Sequence, residues 1–198
     1  MLHLNMIYSG LVCTLKSIPN ILTLLRIALI PIFIVVFYLP INTAHLVAAL
    51  IFALACITDW LDGYLARRLQ QTTKLGAFLD PVADKLIVTV ALILLVRLPY
   101  LHYLVLPAMV IIGREIVVSA LREWMAQIGQ HAHVAVITIA KWKTFSQMLA
   151  IFCLLAYCPG RSLMVLIVGY VTLYVAVLLT FWTMCMYLYA ARKVFSGR

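Results

Sequence analysis

Long apolar runs separated by short polar segments dominate this chain of 198 residues. A helix needs roughly 17 to 25 apolar residues to cross the hydrocarbon core of a bilayer. Six runs reach this length, and they predict spans at 21–39, 44–64, 81–98, 103–124, 142–158 and 163–189. Each run is continuously apolar, whereas the strands of a membrane barrel alternate apolar and polar residues. We therefore predict an all-α integral membrane protein with six transmembrane helices.

The first eighteen residues differ from the runs that follow them. Apolar residues recur there at roughly helical intervals, at Leu4, Ile7, Leu11 and Leu15. This pattern favours an amphipathic helix lying at the membrane interface, although a disordered lead-in is the alternative for so short a segment. Because the chain shows no internal repeat and no linker, we expect a single domain over 1–198, with 1–18 as its lead-in.

Composition and charge support this class and predict an orientation. The chain is 66% hydrophobic and only 11% charged, which leaves too little polar surface for a water-soluble domain. Lysine and arginine follow the second, fourth and sixth predicted spans, so both termini and these segments are expected in the cytoplasm. The net charge of +9 suits an anionic lipid surface. Since the cations are dispersed among the spans and form no stripe, no nucleic acid partner is expected.

Four carboxylates stand out against this apolar background. All of the aspartates lie in one short segment, as Asp59, Asp62, Asp80 and Asp84. On a helix the first pair is about 60° apart and the second about 40° apart, so each pair shares a face. Unpaired carboxylates next to hydrocarbon are costly, and divalent cations compensate them; all-oxygen ligation favours magnesium or manganese. The segment therefore predicts a metal site.

Each aspartate also has an ordinary structural explanation. Asp80 precedes Pro81, which is the pattern of an N-cap followed by proline at the first helical position. The first two aspartates can pair with Arg67 or Arg68 along one helix, and Asp84 can be solvated at the interface. Together, these explanations do not account for four aspartates within one segment of an apolar chain, so we favour the metal site.

The same segment carries a longer motif, D-x2-D-G-x2-A-R-x8-G-x3-D-x3-D. Its fixed positions are filled by Asp59, Asp62, Gly63, Ala66, Arg67, Gly76, Asp80 and Asp84. Eight residues at exact spacings make a specific signal, and the chain resembles the CDP-alcohol phosphotransferases, whose signature this is. The resemblance extends to 19–26, 113–125 and 140–144, and so covers nearly the whole chain.

The resemblance implies a reaction and a location. Family members transfer a group from a CDP-linked donor to an alcohol with two divalent cations, and homodimers are expected. The flanking segments are most similar to bacterial members that use CDP-diacylglycerol and sn-glycerol 3-phosphate. The expected products are phosphatidylglycerophosphate and CMP, formed at the cytoplasmic side of the bacterial inner membrane. Membrane lipids are then the surroundings of the protein as well as the source of its donor.

The resemblance also assigns roles to single residues. The four aspartates would hold the cations, and Asp84 would in addition be the general base for the attacking hydroxyl. The residues expected to bind CDP-diacylglycerol are Asn20, Thr23, Arg26, Gly63, Ala66, Arg67 and Gly76. Small residues at Gly63 and Ala66 leave room for the nucleotide, and Arg67 can meet its diphosphate. The first three of these have ordinary alternatives: Asn20 can cap the helix, Thr23 can donate a hydrogen bond to a preceding backbone carbonyl, and Arg26 can snorkel.

A dianionic acceptor needs cations of its own, and four candidates are Arg114, Arg122, Lys141 and Lys143. Arg114 lies midway along an apolar span, which usually indicates function, whereas Arg122 can snorkel. Lys141 and Lys143 project about 200° apart on a helix, so we expect one of them at the site. Glu115 is expected to pair with neighbouring arginines.

Two rival functions remain open from sequence. Other family members use serine, inositol phosphate or phosphatidylglycerol as acceptor, and only the acceptor pocket distinguishes them. A divalent-cation transporter also places carboxylates within a membrane, but transporters commonly show duplicated halves and midplane sites. The aspartates here lie at the cytoplasmic ends of predicted spans and no duplication is visible, which favours the enzyme.

Overall fold

The computed structural model describes residues 18–41, 43–69, 74–127, 137–159 and 162–195. These residues form six α-helices and a short 3₁₀ turn at His102–Leu104, with no strand among them. The helices are α1 Ile18–Phe37, α2 Ala44–Leu69, α3 Lys74–Val96, α4 Val105–Gln127, α5 Ile137–Ala156 and α6 Leu163–Phe195. The predicted all-α class is confirmed. The predicted interfacial helix falls in the lead-in, which lies outside the described residues except for its last position.

Three of the described helices are long and apolar enough to cross a membrane. The segments concerned are Ala44–Leu61 in α2, His102–Met125 around α4, and Leu163–Met186 in α6. Two shorter apolar segments are Ile21–Phe37 in α1 and Trp142–Ala156 in α5. The chain therefore has the helices of a membrane protein, while the number of six spans stays a prediction.

The third helix begins earlier than the sequence predicts. The predicted span starts at Pro81, but α3 starts at Lys74, so Asp80 lies inside the helix. The interpretation of Asp80 as an N-cap is wrong. Proline within a helix removes one backbone donor and crowds the preceding turn, a cost that contacts elsewhere can offset. From Leu86 to Val96 the helix carries no charge, but this stretch is only roughly 16 Å long, about half the hydrocarbon thickness.

The chain forms two compact units, Met1–Ala91 and Leu92–Arg198, and the division falls within α3. In the first unit α1 packs along α2. The rings of Phe33 and Phe52 meet there with centroids 6.4 Å apart, and both side chains are fully buried. Packing of these two helices fixes α1 beside the end of α2 that carries the first pair of aspartates.

In the second unit α6 packs against both α4 and α5. Gly169 permits a close approach of α6 to α5, because a Cβ added at this position would lie 2.9 Å from the Leu154 side chain. The Ser146 hydroxyl donates a 2.8 Å hydrogen bond to the carbonyl of Thr172 across the same pair of helices. This packing holds the polar positions of α5 and α6 in a fixed register.

Candidate active site

One buried face of α1 meets the aspartate-bearing helices. Arg26 is fully buried, and its Nη1 lies 2.5 Å from Oδ1 of Asp59 on α2. The Asp59 side chain itself remains 35% exposed. A snorkelling arginine keeps its charged head in water. Because Arg26 is buried and paired with a carboxylate, the snorkelling alternative for this residue is wrong.

Thr23 lies one turn before Arg26 on the same face of α1 and is also buried. Its hydroxyl donates a 2.5 Å hydrogen bond to Oδ1 of Asp80 on α3. Thus α1 contacts one signature carboxylate from α2 and one from α3. The contacts described for Thr23 and Arg26 include these two carboxylates, and contact of either residue with the nucleotide stays a prediction.

Three further signature residues of the first unit are described, namely Asp84, Gly63 and Gly76. Asp84 follows Asp80 by one turn of α3, so the two carboxylates share a helix face, and both are half-buried. On α2, a Cβ added at Gly63 would meet no atom of the described residues within 4 Å. Gly76, near the start of α3, is buried. The open space beside Gly63 fits the predicted approach of a bulky ligand to the α2 backbone.

Six predicted site residues have side chains outside the described part of the structure, although their backbone is helical. They are Asn20, Asp62, Ala66, Arg67, Arg122 and Lys141. Among the side chains that are described, no group of three His, Cys, Asp or Glu comes together closely enough to hold a metal ion. Asp62 is not part of that set, so the predicted four-carboxylate site stays a prediction.

A second polar cluster lies within the other compact unit and joins three helices. Arg114 on α4 is only 7% exposed, and its guanidinium bonds Oε1 of Glu115 at 2.9 Å and the Thr183 hydroxyl on α6 at 3.2 Å. Lys143 on α5 is also buried, and its Nζ lies 2.5 Å from the same Oε1. The predicted pairing of Glu115 with a neighbouring arginine is confirmed. Lys143, one of the two lysine candidates on α5, lies in this cluster, and the side chain of the other, Lys141, is outside the described part of the structure.

The cluster carries an excess of positive charge. Among the described side chains of the cluster, two cations, Arg114 and Lys143, share one carboxylate, so positive charge exceeds negative charge there by about one. Nε of Arg114 is buried without a hydrogen-bond partner among the described residues, and so is the hydroxyl of Thr180, one turn before Thr183 on α6. Such groups are costly to leave unsatisfied. An anion with several acceptor oxygens is the kind of ligand that compensates a cluster of this composition.

Thr183 was not predicted as a site residue. The sequence holds one signal for it, because Thr180 and Thr183 are polar positions one turn apart within the long apolar run of α6. That spacing places both hydroxyls near one helix face. Threonine also satisfies itself by bonding backward to its own helix, as Thr183 does to the carbonyls of Leu179 and Thr180. The spacing of the two threonines therefore does not show whether a hydroxyl contacts the polar cluster or only bonds to its own helix.

Comparison with known proteins shows similarity over most of the chain. The sequence model of the CDP-alcohol phosphatidyltransferase family matches residues 16–182. A protein of Pectobacterium atrosepticum is 54% identical over 176 residues, which cover 89% of this chain and 95% of that protein. Another, of Pseudomonas fluorescens, is 57% identical and covers 88% of this chain and 90% of its own length. A third, of Haemophilus influenzae, is 48% identical over 177 residues, 89% of this chain and 94% of its own. All three are named CDP-diacylglycerol--glycerol-3-phosphate 3-phosphatidyltransferase.

Proposed function

Because this chain belongs to the CDP-alcohol phosphatidyltransferase family, we propose that it transfers the phosphatidyl group of CDP-diacylglycerol to sn-glycerol 3-phosphate. One observation carries the proposal: relatives that are 48% to 57% identical over almost the whole chain are named for this reaction. The products are phosphatidylglycerophosphate and CMP. The chain is then a phosphatidyltransferase of phospholipid synthesis.

The donor and two divalent cations belong to the aspartate-bearing unit. Asp59, Asp62, Asp80 and Asp84 would hold Mg²⁺ or Mn²⁺, whose preferred ligands are hard oxygen donors. The described carboxylates fit this role, since α1 contacts Asp59 through an ion pair and Asp80 through a hydrogen bond, and both carboxylates are incompletely buried. When bound, the cations would supply charge neutralisation for the diphosphate and its leaving oxygen.

The chain's own groups then bind and orient the nucleotide and move one proton. Open space at Gly63, with Ala66 one turn later, admits the cytidine nucleotide to the α2 backbone, and Arg67 meets its diphosphate. Asp84 takes the proton from the attacking hydroxyl of glycerol 3-phosphate. That oxygen bonds to the phosphatidyl phosphorus while the bond to the bridging oxygen breaks and CMP leaves. The signature holds no Ser, Cys or His nucleophile, so the displacement is direct.

The acceptor phosphate is assigned to the cationic cluster of Arg114 and Lys143. Arg114 and Lys143 are buried cations that exceed the charge of their shared partner, Glu115. A phosphate dianion satisfies guanidinium and ammonium donors together, which supports this assignment. Arg122 and Lys141 are further candidates for the same role.

Loop charge and an aromatic pair support the location that we propose. Trp60 and Tyr64 stack on the outer side of α2, with centroids 6.1 Å apart and planes inclined by 12°. Both are exposed, and they lie at the end of the apolar segment Ala44–Leu61. Exposed Trp and Tyr are typical of a membrane–water interface. We place the aspartates at the cytoplasmic interface of the bacterial inner membrane, in a protein that we expect to be a homodimer.

Release of CMP from CDP-diacylglycerol by the purified protein tests the function. We expect release with glycerol 3-phosphate and none with serine, inositol 1-phosphate or phosphatidylglycerol. Excess chelator is expected to abolish the activity, and added Mg²⁺ or Mn²⁺ to restore it. Release with a different acceptor would overturn the acceptor assignment alone. Folded protein that releases no CMP with any of them would instead favour a cation transporter.

Replacing Arg114 by glutamine is expected to raise KM for glycerol 3-phosphate about 10- to 100-fold, the effect of losing a hydrogen bond to a charged group. KM for CDP-diacylglycerol should stay nearly constant. In this variant Lys143 still pairs with Glu115, so the Glu115 carboxylate is not left without a cation. Initial rates over a range of each substrate measure the two KM values. Arg97→Gln, which changes an exposed arginine after α3, is the matched control; equal effects of the two variants would contradict the assignment.

A further inference from the structure

The contact between Thr23 and Asp80 joins residues 57 positions apart. Thr23 is only 1% exposed, and its hydroxyl donates directly to Oδ1 of the carboxylate. Asp80 is inside α3 and does not cap it, so this carboxylate has no capping role that would explain its position. The hydrogen bond from α1 is thus a tertiary contact made to one of the four signature carboxylates.

A second contact of the same kind lies one turn further along α1. Arg26 is fully buried and pairs with Asp59 on α2. Residues at i and i+3 lie on one helix face, so a single turn of α1 holds a carboxylate from each helix of the signature. Both of these buried polar side chains contact signature carboxylates, which indicates that this face of α1 orients the carboxylates.

A carboxylate has two oxygens and rotates about the bond that joins it to the side chain. A fixed donor on one oxygen stops that rotation and leaves the lone pairs of the other oxygen aimed in a set direction. In metal sites, partners that hold a ligand in this way usually matter for binding, and their loss costs about 10- to 100-fold in metal affinity or activity.

We propose that Thr23 is a positioning residue, whose hydroxyl fixes the Asp80 carboxylate in the orientation that binds a divalent cation. The proposal rests on the metal-dependent function proposed above and names a residue on which that function depends. It assigns Thr23 a role different from direct contact with CDP-diacylglycerol. Arg26 acts on Asp59 in a similar manner, through the ion pair that it forms from the neighbouring turn.

The test is Mn²⁺ binding to the full-length protein without substrate, measured as free Mn²⁺ by electron paramagnetic resonance. Thr23→Val keeps the shape of the side chain but removes the hydroxyl, and it is expected to weaken Mn²⁺ binding by about tenfold or more. Thr23→Ser keeps the hydroxyl and should bind Mn²⁺ nearly as wild type does. Thr23→Ala gives a second hydroxyl-free variant should valine prevent folding.

Thr58→Val is the matched control, because the Thr58 hydroxyl donates to the carbonyls of Leu54 and Ala55 in its own helix. It makes the same chemical change in the same unit, and Mn²⁺ binding should be unaffected. In an Asp80→Asn background, Thr23→Val should add little further loss, since the two residues act through one contact.

The outcomes separate this inference from the proposed function. If Asp80→Asn weakens Mn²⁺ binding but Thr23→Val and Thr23→Ala do not, the positioning role is overturned and the metal site stands. A raised KM for CDP-diacylglycerol with unchanged Mn²⁺ binding would overturn it in favour of direct substrate contact. If Asp80→Asn also leaves Mn²⁺ binding unchanged, the metal site fails and the positioning role fails with it.

Discussion

Asp84→Asn is expected to lower kcat for CMP release by about 10²- to 10⁴-fold, the usual contribution of a positioned general base. The amide keeps the size and one oxygen of the carboxylate but cannot accept the proton of the attacking hydroxyl. KM for both substrates should change little, because the base acts mainly in the transition state. Steady-state rates of CMP release from the purified variant measure both quantities.

Binding of Mn²⁺ to the same variant separates the two roles assigned to Asp84. If Mn²⁺ binding persists while kcat falls, the fall in kcat is due to loss of the general base. If Mn²⁺ binding and kcat fall together, Asp84 acts chiefly as a metal ligand. Glu123→Gln, on the exposed side of α4, makes the same amide exchange outside the signature and should leave kcat unchanged. An Asp84→Asn variant as active as this control would remove Asp84 from the mechanism.

The helices could largely be predicted from apolar runs, because burial in lipid demands long uninterrupted helical segments. The main error lies at α3, where Asp80 and Pro81 resemble a helix start. Local capping preferences are worth only about 1 kcal/mol, so contacts from other helices can override them. Here Asp80 is bonded by Thr23 of α1, a partner that no local pattern around position 80 reveals.

The chemistry of the candidate site could be predicted better than its contacts. Helical spacing alone shows that Asp80 and Asp84 share a face, and the signature assigns them a family role. Which donor meets each carboxylate depends on how neighbouring helices rotate about their axes, and the sequence does not state this rotation. For the same reason the sequence left the choice between Lys141 and Lys143 open, and it gave no firm sign of Thr183. The contact of Lys143 with Glu115 follows only from the packed helices.

Glu115→Gln is expected to lower the free energy of unfolding by about 3 to 5 kcal/mol, the usual cost of removing one partner from a buried ion pair. Among the described residues, Glu115 is the carboxylate that Arg114 and Lys143 share, and both cations are at least nine-tenths buried. Glutamine fills the same volume but leaves two like charges facing each other in low dielectric. Denaturation in a series of detergent mixtures, followed by helical circular dichroism, measures the loss, and Glu123→Gln again serves as the matched control on α4.

An anion that binds these cations should repair part of this defect. Inorganic phosphate or glycerol 3-phosphate replaces the missing negative charge, and a ligand that binds only the folded state stabilises it by mass action. Stabilisation by phosphate is therefore expected to be larger for Glu115→Gln than for wild type, because phosphate no longer competes with the carboxylate for Arg114 and Lys143. Chloride at equal ionic strength controls for screening, which weakens repulsion between the two cations without specific binding. Equal effects of phosphate and chloride would show that the cluster is structural, and the acceptor phosphate would then have to bind elsewhere.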